Sequence, residues 1–297
     1  MRPATPQSSG GAARSVFICV HLWFLITMPE LPEVETIRRS LLPHVVGARV
    51  VGVTVRERRL RRPIARGFAA QLRGHRIEAL ERHGKYLLFR LDDARVLLVH
   101  LGMSGSLEIA PADKARERHD HVAIALDNGT VLVFNDPRRF GLMRLAGADD
   151  LTELQNVGRD TLTAAPSVDE WRSLVRGRRL PIKNLLMDQR VLGGVGNIYA
   201  SEMLFQAGIR PRRRAASLRG AELVRLNEAL RAVLAEAVGL GGSSISDYRD
   251  ANGRPGTFQM RHAVYDRAGE PCRACGTTIK RVVLSGRSSF YCPRCQR

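Results

Sequence analysis

The spacing of apolar residues changes twice along the chain. In "PEVETIRRSLLPHVVG", Val34, Ile37 and Leu41 recur at three- and four-residue steps. That spacing predicts a helix with one buried face, and Pro43 predicts its end or a kink. After Gly47 the runs become short and rich in Val and Leu: "RVVGVTV", "KYLLFRL" and "RVLLVHLG". These read as strands separated by turns. "HVAIALDNGTVLVFND" predicts a hairpin with Asp127-Asn128-Gly129 at its turn. Residues 29–145 therefore predict one helix followed by a β-sandwich or barrel. From about Asp149 the helical period returns, in "VDEWRSLVRG" and "AELVRLNEALRAVLAEAVGL". Between these two stretches, two apolar helical runs flank "LGGVGN". Its glycines suit a helix N-terminus that approaches a phosphate, and equally a plain turn between helices. "GLGGSS" and "ANGRPG" mark connections before a last small module.

Charge narrows the partner. The 297 residues carry a formal net charge of +18 with 44% hydrophobic content, so a basic protein with a substantial core is expected. That excess points to a polyanion, most simply nucleic acid. Aromatic residues are only 5%, which argues against a stacking platform for single strands. The basic residues are 43 Arg against 4 Lys: Lys85, Lys114, Lys183 and Lys280. An amine shifts its pKa and moves a proton more readily than a guanidinium, so each lysine is of interest. Lys114 and Lys280 are expected to be ordinary surface residues.

Four of the five cysteines form Cys272-x2-Cys275 and Cys292-x2-Cys295, sixteen residues apart. This is the spacing of a four-thiolate structural zinc site, with no position left open for water. The intervening segment suits a β-hairpin with Arg287 at its tip. The fifth cysteine, Cys19, lies in residues 1–27, whose apolar run from Val16 to Ile26 is broken by His21. That run is far shorter than the roughly 20 residues of a membrane span. No small-residue cleavage site follows it. Residues 1–27 are expected to be a non-native extension.

"MPELPEVET", "KYLL", "HLGMSGS", "HDHV", "DPRRFG", "GVGNIYASE", "LFQAGI" and the terminal cysteine pairs occur in this order from Met28 to Arg297. The chain thereby resembles the bacterial formamidopyrimidine-DNA glycosylases. The resemblance implies an α+β multidomain fold: an N-terminal β-sandwich with a flanking helix over residues 28–148, a helical domain with a helix–two-turns–helix element over 149–262, and a zinc-finger β-hairpin over 263–297. It also implies removal of oxidised purines from double-stranded DNA, strand cleavage at abasic sites, one structural Zn2+, a monomer, and a cytoplasmic, nucleoid-associated setting.

The resemblance assigns catalytic roles to Pro29, Glu30, Lys85 and Arg287. Pro29 would be the nucleophile once Met28 is removed, Glu30 the acid/base at the sugar, and Lys85 the phosphate contact and proton donor in β-elimination. Arg287 would grip the phosphate and assist δ-elimination. Met103, Arg138 and Phe140 would fill the hole left by a flipped base. His100, His119, Arg178, Lys183 and Asn197 would contact the DNA backbone. Position alone makes Glu33 and Glu35 ordinary helix-start acids. Arg254 stands where lysine is common in the base-capping loop, which leaves lesion preference open. Two other readings remain: an endonuclease VIII-type enzyme for oxidised pyrimidines, and a non-catalytic zinc-ribbon DNA-binding protein.

Overall fold

The computed structural model describes residues 28–115, 117–245 and 248–297; the expected extension 1–27, with Cys19, lies outside them. Helix α1 spans Leu31–Val45. It passes through Pro43 and ends two residues later, because a proline in the last turn removes only one intrahelical bond. Val34, Ile37 and Leu41 are fully buried, as their spacing predicts.

Two four-stranded antiparallel sheets follow. One pairs β1 (Val50–Val55), β6 (Asp120–Leu126), β7 (Thr130–Asn135) and β5 (Ser106–Pro111), in that order. The other pairs β2 (Ile77–His83), β3 (Tyr86–Leu91), β4 (Val96–His100) and β8 (Leu142–Ala146). Helix α2 (Phe68–Leu72) sits between β1 and β2 in the chain. The inner faces share one core with α1, built on residues such as Leu87, Phe89, Val99, Ile124 and Phe134. The chain crosses between the sheets twice after β1–β4, at residues 101–105 and at 136–141. In the first crossing, a Cβ on Gly102 (φ +67°) would lie 2.4 Å from the Phe140 carbonyl carbon. The two crossover loops therefore lie backbone against backbone.

Residues 149–167, where the helical half was expected to begin, hold turns and the short strand β9 (Arg159–Asp160); the run "VDEWRSLVRG" then forms α3 (Val168–Val175). Its start is fixed by a capping box in which the Glu170 N–H donates to the Ser167 hydroxyl. Then come α4 (Ile182–Leu186), β10 (Leu192–Gly193), α5 (Asn197–Gln206) and α6 (Gly220–Gly239). They share a second core that includes Trp171, Leu185, Tyr199, Met203 and Leu230. The last module is a hairpin of β11 (Lys280–Leu284) and β12 (Arg287–Tyr291), and its Phe290 and Cys292 pack into that second core.

A seam joins the halves. Leu31, the first residue of α1, is buried in the second core, while the rest of the helix serves the first. Its N–H donates to the Gly194 carbonyl at 3.1 Å. Arg82, whose side chain is 2% exposed, pairs with Glu35 of α1 at 3.0 Å and with Asp160 of β9. Asp160 also accepts from the Gly84 N–H at 2.8 Å. Among the described residues, no helix is long and apolar enough to cross a membrane.

Candidate active site and nucleic-acid interface

The start of α1 meets the start of α5. The Glu30 carboxylate accepts from the Ile198 N–H at 3.0 Å and the Tyr199 N–H at 3.4 Å. A helix N-terminus carries partial positive charge and free donors, so it holds an anion well. The glycines of "LGGVGN" thus admit the protein's own carboxylate where a phosphate was an expectation. A Cβ on Gly196 would lie 2.2 Å from the Glu30 carboxyl carbon. Burial raises Glu30 above the usual carboxylate range, and Lys85 and the two N–H donors oppose that rise. Pro29, immediately before it, is buried.

Lys85 lies in the turn between β2 and β3 and is 6% exposed. The preceding Gly84, at φ +57°, is held by Asp160, and a Cβ there would press on Val157 at 3.2 Å. Burial pulls Lys85 below the usual lysine range, against the attraction of Glu30 and Glu33, and Arg287 adds to the fall. Lys183, on α4, is 1% exposed. Its Nζ donates to Asn197 Oδ1 at 2.7 Å, Ser289 Oγ at 2.8 Å and the Ser288 carbonyl at 3.1 Å. Burial lowers it to about 7, with Glu30 opposing and Arg287 assisting. His100, at the end of β4, accepts from the Gly102 N–H through Nδ1 at 2.9 Å, and its ring centre lies 4.7 Å from that of Tyr86 at a tilt of 55°. Burial and then Lys85 hold it down to about 3, so it is neutral at physiological pH. Glu30, Lys85, Lys183, Asn197, Arg287 and His100 therefore form one group from both halves and the hairpin. Two lysines held below their usual range near a carboxyl held above it mark this group as a candidate for acid–base work.

Met103, Arg138 and Phe140 come together on the paired crossover loops. Phe140 is 45% exposed, and the Arg138 guanidinium carbon lies 5.0 Å from the centre of its ring. Met103 is half-buried, so neither apolar residue is core. Buried Asp136 fixes this loop by accepting from Ser104 Oγ and the Gly141 N–H, both at 2.7 Å. His119 lines a cavity of about 410 Å³ with Arg56, Arg118 and Arg139. Arg178 lies apart, within electrostatic reach of Asp188, which shares a cavity of about 250 Å³ with exposed Arg287. Lys114 pairs with Glu108 and Lys280 is exposed, as expected of surface lysines.

Glu33 is more than the helix-start acid that its position suggests. It caps the Glu30 N–H at 2.8 Å, accepts from the Ser243 N–H at 2.7 Å and receives the Tyr199 hydroxyl. Burial and the neighbouring Glu30 raise it to about 7. The E-x-x-E spacing was a signal for the cap, but not for the two distant partners. Glu35 is likewise more than a helix-start acid: despite burial, hydrogen bonds from Arg38, Arg39 and Arg82 hold it down to about 2.

The four cysteine sulfurs lie within 4.8 Å of one another, with Cys272–Cys295 at 3.9 Å and Cys275–Cys292 at 3.4 Å. A tetrahedron with Zn–S bonds of about 2.3 Å has edges of about 3.8 Å, so the thiols fit one zinc.

A protein of two halves, with a carboxylate–lysine group at their seam and a thiolate-bound hairpin beside it, belongs to the class of zinc-bearing DNA-processing proteins. Family comparisons narrow the class. Residues 28–143 match the formamidopyrimidine-DNA glycosylase N-terminal domain, 157–249 its H2TH domain, and 269–297 the zinc finger found in FPG and IleRS. The formamidopyrimidine-DNA glycosylase of Beijerinckia indica is 48% identical, with 91% of this chain and 100% of that protein covered. That of Pseudomonas aeruginosa is 47% identical with the same coverage. The crystal structure of the Thermus thermophilus MutM (FPG) protein superposes with a TM-score of 0.81 at 44% identity, covering 90% of this chain and 98% of that one. A Lactococcus lactis FPG complex with abasic-site DNA gives 0.83 at 33% identity, covering 90% and 99%. The chain belongs to the formamidopyrimidine-DNA glycosylase family.

Proposed function

We propose that this protein is a bifunctional DNA glycosylase and abasic-site lyase of base excision repair, acting on oxidised purines in double-stranded DNA. The observation that carries this reading is Glu30, held at the start of α5 next to Pro29 and within electrostatic reach of Lys85 and Lys183. The Pro29 amine attacks the sugar C1′, the bond from C1′ to the damaged base breaks with its electron pair leaving on the base, and the base takes up the proton that the Pro29 nitrogen sheds. Glu30 protonates the ring oxygen as the sugar opens, leaving an iminium between Pro29 and C1′. Loss of a C2′ proton then expels the 3′ phosphate, with Lys85 as contact and proton donor, and Arg287 assists loss of the 5′ phosphate. His100, His119, Arg178, Lys183 and Asn197 contact the DNA backbone. Met103, Arg138 and Phe140 fill the gap in the duplex. One Zn2+ on Cys272, Cys275, Cys292 and Cys295 holds the hairpin that carries Arg287.

This chemistry needs a free amine. An α-amine has a pKa of about 7.7–8.0, whereas the same nitrogen inside the chain is an amide without an available lone pair. The active form therefore begins at Pro29, and residues 1–27 and Met28 are absent from it. On the given sequence the catalytic sandwich spans 28–148, of which the active form lacks Met28, the helical domain 149–262 and the zinc finger 263–297. The enzyme works as a monomer on nucleoid DNA in a bacterial cytoplasm. The test compares a chain started at Met28 with the intact 1–297 chain on 8-oxoguanine duplex in borohydride, which reduces the iminium to a stable cross-link. The short form should trap DNA through Pro29 and the intact form should not. Equal trapping would make another amine the nucleophile, with Lys85 the first suspect.

A further inference from the structure

Two neighbouring segments of the helical half run antiparallel. Residues 178–183 and 211–216 are joined by Ile182 N–H to the Arg213 carbonyl (2.7 Å), Ala215 N–H to Leu180 (2.9 Å) and Ala216 N–H to Arg178 (2.9 Å). Arg214 stands opposite Pro181. This ribbon and the turn before it concentrate positive charge, but not all of it is free. Lys183 donates to Asn197 and the hairpin and belongs to the site already described. Arg210 donates to the carbonyls of Gln296 and Pro293, at 2.8 and 2.9 Å. Arg213 pairs with Glu222. Arg176, Arg178, Arg179, Arg212 and Arg214 remain, and among the described residues none of them makes an ion pair or donates a side-chain hydrogen bond. All but half-buried Arg178 are exposed. Guanidiniums crowded on one ribbon without counter-charges repel one another, which favours a polyanion that lies across them.

The ribbon is continuous with the site. Asp188 forms a wall of the cavity that holds Arg287 and feels the charge of Arg178. Asp188 is itself paired with Arg190 at 2.9 Å, so it does not neutralise the ribbon. The large exposed apolar side chains among the described residues are Val46, Val51, Phe140, Val224, Met260 and Val283, none of them on the ribbon. A protein partner would want apolar anchors there. A duplex, with one charge per roughly 1.7 Å of axis, needs only the arginines.

We propose that Arg212 and Arg214, with Arg176 and Arg179 beside them, form a phosphate track that holds duplex DNA beyond the lesion. This rests on the DNA-repair reading above. The test uses the zinc-loaded enzyme started at Met28 and its Arg212→Ala/Arg214→Ala variant. Lesion duplexes are shortened stepwise from one side of the lesion or from the other. The wild type should lose about tenfold in affinity when one particular side is cut back, and the variant should already lack that gain. The slope of log affinity against log salt should be shallower in the variant by about 2, at about 0.9 per phosphate contact. Thermal midpoint, zinc content and single-turnover excision at saturation should match the wild type, separating a lost track from a damaged fold. Equal salt slopes and equal length dependence in the two proteins would overturn the track. An inactive wild type that still showed the length effect would instead overturn the enzymatic reading and leave the track standing.

Discussion

Glu33 is the residue whose surroundings most exceed its place in the sequence. Its partners Tyr199 and Ser243 are 166 and 210 positions away, so no local spacing could announce them. Burial and Glu30 raise its carboxyl from the ordinary carboxylate range to about 7. The folded state therefore binds the proton more tightly than the unfolded chain. The stability linked to that proton is complete below about pH 4.5 and is lost as pH rises through about 7. The carboxylates that hydrogen bonds hold low, such as Glu35 at about 2, change stability only on the acid side of this window. Buried His100 and Lys183, held down to about 3 and about 7, act with the opposite sign, so the Glu33 contribution is read as a difference: the midpoint of Glu33→Gln should rise relative to that of the wild type between pH 5 and 8, as calorimetry across that range would show. The cysteines, Lys85 and Lys183 were legible because the sequence isolates them: two short-spaced pairs, and two of only four lysines. Arg82 and Asp160 were not legible, because among 43 arginines nothing marks the one that is buried between two acids.

Among the elements, the strands followed from short Val- and Leu-rich runs set off by turns, and the hairpin turn from Gly129; β4 is buried at all its positions, so it has no alternation to read. The start of α3 followed as well, from "VDEWRSLVRG"; what escaped was residues 149–166, expected to turn helical but filled by turns and β9. The head-to-head meeting of α1 and α5 also escaped, and it depends on the space left by Gly196. Gly196→Ala should push Glu30 off its two N–H donors. Excision in single turnover is expected to drop by tenfold or more, while affinity for a reduced abasic-site duplex changes little. The hairpin makes a second case. Ser288 and Ser289 hold Lys183, so loosening the four-thiolate module should be felt at the DNA. Metal analysis should give one zinc per chain, and Cys272→Ser or Cys295→Ser should lose DNA affinity; full affinity without metal would refute this.

At the scale of the whole molecule, residues 28–297 carry a formal charge of +16, since Arg2 and Arg14 are the only charged residues before them. Affinity for duplex should fall roughly a thousandfold or more between 50 and 200 mM salt if six or more phosphates are contacted. A flat response in a titration would assign the basic surface to another purpose. The two halves that carry this charge are not joined by a loose linker. Leu31 is planted in the far core, and Arg82 ties α1, the Lys85 turn and β9 together out of reach of water. Such a seam resists opening, because parting the halves would expose Leu31 to water and break the Arg82–Asp160 pair. The mechanical work of inspection then falls on the nucleic acid. A rigid caliper closes only around a duplex that yields, and base steps differ in how easily they yield. A damaged step that has lost stacking is the softer spring, so its own compliance becomes part of what this protein measures.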